Sequence, residues 1–95
     1  MLRHIVMFKL KDRTAAHIQE VAARLRSMEG HIDELQAIEV GVNIVKSARA
    51  FDIALVTEFA DQDALDRYIV HPVHKGISQY MSEQRETSAA VDYLF

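Results

Sequence analysis

The segment LDRYIVHPVHKGI, Leu65 to Ile77, holds a tyrosine, two histidines and the chain's only proline. A neutral imidazole can take a proton near pH 7, because its ordinary pKa is about 6.5. A phenol hydroxyl can hydrogen-bond a carbonyl oxygen while negative charge builds on it. His74 as base and Tyr68 as donor therefore suit proton removal from carbon next to a carbonyl. An intramolecular aldol closure needs those two roles and a cavity that folds a flexible chain on itself. His4 shares a strand face with Val6 and Phe8, and His74, Ile77 and Met81 recur at helical spacing. If the strand face meets the helices, one mostly apolar cavity results, the usual form of a small-molecule site. Its expected members are catalytic His74 and Tyr68, with His4, Val6, Phe8, His71, Ile77 and Met81 lining it.

Each of these residues also has a purely structural reading. His71 precedes Pro72 and can cap a new helix. His74 can be a buried histidine bonded to a carbonyl. Tyr68 and His4 can be satisfied core groups. His71, His74 and His4 form the only set resembling a three-histidine metal site, and Pro72 interrupts the helical geometry between the first two. No metal and no cofactor are assigned. His17 and His31 are expected at the surface.

The elements that must position these residues follow from periodicity. LRHIVMFKL, Leu2 to Leu10, is rich in branched and aromatic residues and predicts a strand. Ile18, Val21, Ala22, Leu25 and Met28 form one helical stripe, so a helix is expected from about Thr14 to Glu29. Asp12 or Thr14 would cap it, Glu20 and Arg24 would pair on its surface, and Gly30 would stop it. Alternation predicts strands over Leu35–Val45, with a possible bulge at Gly41, and over Phe51–Phe59. Asp61 opens a second helix bearing Leu65, Tyr68 and Ile69 on one face. Pro72 ends that helix and starts another at its first position, running to about Glu83. TSAAVDYLF supplies a last strand.

The order β-α-β-β-α-β predicts an α+β, ferredoxin-like domain with a four-stranded antiparallel sheet and helices on one face. All 95 residues form one domain. The uncovered face would carry Ile5, Met7, Ala54 and Val56, an apolar patch unusual for a monomer. A homodimer packed sheet to sheet would cover it and enlarge a small core.

Net charge is −3 with both signs interspersed, which argues against nucleic acid. No apolar run reaches the length of a membrane span. The absence of cysteine fits a reducing compartment. The expected protein is soluble and cytoplasmic.

HIVMFKLKD, GVN, FDIALVTEF, YIVHPVH and VDY, in that order, resemble the stress-responsive A/B barrel domain (Dabb) family. The resemblance implies a dimeric α+β barrel. It says less about activity, since the family includes plant stress proteins, bacterial members without assigned function and a polyketide cyclase of the olivetolic-acid type. In that cyclase the tyrosine and second histidine of Y-x-x-H-P-x-H are the catalytic pair. The matching positions here are Tyr68 and His74, and His4 matches a pocket histidine. Ile53 stands at or near a further pocket histidine of the cyclase, and the first helix brings Ala22, Ala23 and Leu25 where the cyclase has aromatics. Those departures imply a differently shaped cavity and a different substrate. Three functions follow as expectations: a small-molecule-binding or stress-associated dimer, a cyclase-like proton-transfer enzyme, and a cofactor-free oxygenase or haem-handling barrel.

Overall fold

A computed structural model describes residues 1–95. The elements are β1 (Leu2–Leu10), α1 (Ala15–Arg26), β2 (Ala37–Val42), β3 (Ile53–Phe59), α2 (Gln62–Val70), α3 (Pro72–Gln84) and β4 (Arg85–Leu94). The four strands form one antiparallel, ferredoxin-like sheet in the order β2-β3-β1-β4. No helix is long and apolar enough to cross a membrane.

Alternating side chains point to opposite sheet faces. The face with Leu2, Phe8 and Leu10 of β1 and Ile53, Leu55 and Phe59 of β3 joins the helices in one buried core. From α1 and its following turn come Val21, Ala22, Leu25 and Met28; from α2 and α3 come Leu65, Tyr68, Ile77 and Met81. Burying each large apolar side chain contributes about 1.5–3 kcal/mol.

The other face carries no helix. Ile5 lies between Val56 and Val91, and Met7 between Ala54 and Ala89. Met7 is 38% exposed and Val91 53% exposed. Arg3 sits beyond this apolar stripe, paired with Glu58 at 2.9 Å and hydrogen-bonded to Tyr93. Its guanidinium also lies 4.0 Å from the centre of the Phe95 ring.

Several boundaries differ from the sequence expectation. β2 stops at Val42 because β3 begins opposite it at Ile53, leaving Ile44 and Val45 without strand partners and exposed. Gly41 pairs with Ala54 in unbroken register; the irregularity falls instead between Lys9 and Leu10, against β4. α1 ends at Arg26, and Gly30 takes the left-handed conformation after an intervening turn (φ 79°). Asp12 accepts from the Thr14 N–H at 3.0 Å, whereas the Thr14 side chain caps nothing. The expected Glu20–Arg24 pair is replaced: Glu20 faces His17 at 3.6 Å and Arg24 lies over the Tyr80 ring. His17 is half-buried against Gln84 at 2.8 Å, not a free surface residue. Ile69, expected on the inward face, is 44% exposed.

Candidate functional site

The α2–α3 joint is built by residues 69–74. Pro72 has no N–H and excludes helical angles at the residue before it. His71 accordingly is extended (φ −64°, ψ 137°) and serves both as the end of α2 and the N-cap of α3. Its Nδ1 accepts the Val73 N–H at 3.1 Å. Breaking α2 also strands carbonyls in its last turn. His74 reaches back across the joint, and its Nδ1–H donates to the Ile69 carbonyl at 3.0 Å. That bond sets the tautomer and leaves Nε2 without a protein partner.

One turn further on, Ile77 and Met81 continue the same inward face of α3 and are buried. Tyr68, on α2, is completely buried. Its ring lies 4.8 Å from that of Phe59 and 4.4 Å from that of His74, both tilted. Its hydroxyl donates to Met28 Sδ at 3.7 Å. Sulfur is a weak acceptor, so a carbonyl oxygen can displace it readily.

Beneath these helices β1 presents His4, Val6 and Phe8 on one face. His4 Nδ1–H donates to Asp92 Oδ1 of β4, its direct cross-strand partner. This bond orients the ring and leaves Nε2 without a protein partner, as in His74. Thr57 of β3 holds the His4 carbonyl from the other side.

Together these groups enclose a cavity of about 200 Å³. Of the residues expected there, His4, Val6, Phe8, Tyr68, His74, Ile77 and Met81 line it. His71 does not; its ring is committed to the α3 N-terminus. Leu25, Met28, Leu55, Ser78, Arg85 and Ser88 complete the wall. Leu25 and Met28 were legible in the α1 stripe. Asp92, Arg85 and Ser88 carry no local signal in the sequence, because their placement depends on the β1–β4 register. No three His, Cys, Asp or Glu side chains converge to hold a metal.

Burial lowers the His74 pKa below its ordinary value, opposed by its bond to Ile69 and reinforced by nearby His4 and His71. Burial raises the Tyr68 pKa far above its ordinary value. Near neutral pH the site therefore holds a neutral His74 imidazole beside a neutral Tyr68 phenol, one proton acceptor and one donor. A larger open groove of about 570 Å³ lies between the start of α1 and the β2–β3 loop. Its buried acid, Asp52, is already engaged by the Leu10 N–H at 2.8 Å and by Arg13 at 3.0 Å. It offers solvated side chains rather than groups awaiting a ligand.

Comparison with known proteins places this geometry in a family. The model of the stress responsive A/B barrel domain (Dabb) matches residues 2–95. An uncharacterised protein of Streptomyces coelicolor is 37% identical over 99 residues, covering 100% of both chains. A dimeric ferredoxin-like protein of unknown function from Bacteroides fragilis is 31% identical with a TM-score of 0.82, covering 99% of this chain and 95% of its own. A dimeric ferredoxin-like protein of unknown function from Thermobifida fusca is 24% identical with a TM-score of 0.86, covering 99% and 90%.

Proposed function

The chain belongs to the stress-responsive A/B barrel domain family, and on that footing we propose that it is a homodimer holding one small carbonyl-containing or apolar molecule per subunit between its helices and sheet. The observation that carries this reading is the convergence of His4, Tyr68 and His74, from three separate elements, on one cavity of mixed polar and apolar lining. A merely structural role would not need two imidazoles with unpartnered Nε2 atoms in the same wall. The dimer is supported by the dimeric relatives and by the bare apolar face. Two sheets packed through Ile5, Met7, Val56 and Val91 would cover that face.

Native mass spectrometry of the freshly purified protein tests both parts. A dimer carrying two extra masses, lost on denaturation, is the expected result. A monomer would sink the assembly. An empty dimer whose His4 and His74 ring resonances ignore added 2,4-pentanedione would sink the ligand site.

A second reading, proton transfer at carbon next to a carbonyl, is favoured by one further observation. The His74 tautomer is locked with Nε2 free while the Tyr68 ring lies alongside. His74 would be the base and Tyr68 the donor to the developing enolate oxygen. The protein would then speed deuterium exchange at the α-carbons of a ketone in D2O, and His74→Ala would lose that activity with the dimer intact. Exchange at the buffer rate, or retained by His74→Ala, would refute the assignment.

A further inference from the structure

The cavity has two polar ends, and only one of them suits proton transfer. His4 lies opposite Asp92, and Phe8 opposite Ser88. Four residue steps along β1 separate the two pairs, about 13 Å of backbone. Val6 and Phe8 supply apolar surface over this span. At the far end Arg85 and Ser88 line the same cavity. Arg85 Nη1 donates to Ser88 Oγ at 2.8 Å, its one side-chain bond. Arg3, Arg13 and Arg67 each pair with an acid; Arg85, the one arginine in the cavity wall, has none. A guanidinium has five donors in a planar fork that matches a carboxylate.

We infer that the cavity takes a small monocarboxylic acid, its carboxylate on Arg85 and Ser88 and its apolar, carbonyl-bearing body toward His4, Tyr68 and His74. This deepens the ligand-cavity reading above and rests on it. One unpaired cation matches one carboxylate charge, and the apolar middle excludes a polyanion. Size sets the other limit. At about 30 Å³ for each water-sized group, the cavity holds on the order of seven such groups. Short-chain keto acids fit that volume; long acyl chains do not.

The test is titration of the intact protein with 5-oxohexanoate and, separately, with its methyl ester, which keeps the ketone and removes the charge. His4 and His74 ring resonances report occupancy. The acid is expected to bind at least tenfold more tightly than the ester. Arg85→Gln, at an exposed position, is expected to abolish that preference by weakening the acid alone, with the melting temperature unchanged. Equal binding of acid and ester to the unaltered protein would overturn the inference and leave Arg85 as a cation beside the carbonyl end of α3. A preference that persists in Arg85→Gln would overturn the assignment to that residue. If neither compound moves the histidine resonances at millimolar concentration, the cavity reading itself fails and takes the inference with it.

Discussion

The two faces of the sheet are built from the same strands and do opposite things. The helix-covered face buries Phe59, Leu55, Ile53 and Leu10 nearly completely, and no fully buried side-chain polar atom lacks a partner. The bare face has an apolar centre of Ile5, Met7, Val56 and Val91, with the Arg3–Glu58 pair beyond it. Closed packing on the first face leaves one hollow, where His4, Tyr68 and His74 stand. The second has only a shallow groove of about 300 Å³ at the β2–β3 end, beside Met7 and Ala54. On the function proposed above, ligand chemistry belongs to the first face and assembly to the second.

That division can be broken by substitution. Phe59→Ala is expected to cost about 4 kcal/mol in a urea melt, because the rigid core leaves a cavity. Val91→Ala on the bare face is expected to change monomer stability by no more than about 0.5 kcal/mol. Similar losses at both sites would erase the distinction. Ile5→Asp places an unpaired charge in the proposed interface. Sedimentation equilibrium should show dimer dissociation strengthened by at least about 100-fold, near 2.8 kcal/mol, with helical circular dichroism retained. Unaltered dimerisation would move the interface elsewhere.

Smaller effects sharpen the first face. Asp52→Ala leaves the Leu10 N–H buried without an acceptor and should cost about 2 kcal/mol. His74→Ala frees the Ile69 carbonyl and should cost about 1 kcal/mol, whereas His74→Gln, whose amide can reach that carbonyl, should recover part of it. Neither variant should retain α-carbon exchange, which separates the structural bond from the chemistry. The smallest effect is on pH dependence. The folded-state pKa of His74 is depressed below 6.5, so above that value both folded and unfolded chains hold it neutral. As pH falls through 6.5 the unfolded chain takes the proton first, and stability declines toward the folded-state pKa. His74→Gln should flatten that part of a stability–pH curve; an unchanged slope would locate the proton uptake elsewhere.

Much of this was legible from residue order. Alternation in β1 and β3, the α1 stripe and the Pro72 break each express a local rule, since periodicity and proline sterics act within a few residues. They yielded the element order, the ferredoxin-like sheet and the bare face, and they brought His4, Val6, Phe8, Tyr68, His74, Ile77 and Met81 to one side of the sheet. His71 was the exception, and its capping role was itself readable beside Pro72. The ends of β2 were misjudged because alternation in Ile44 continues past the point where a partner strand exists.

The sequence by itself determined which faces are apolar and which imidazoles stand near them. Tertiary structure alone decided what those imidazoles touch. The pairing of His4 with Asp92 spans 88 positions and exists only through the β1–β4 register. The same register carries Arg85 and Ser88 to the cavity's far end. Register is a relation between distant strands, set by the packing of the whole sheet, and a slip of one residue would turn every one of these side chains to the other face.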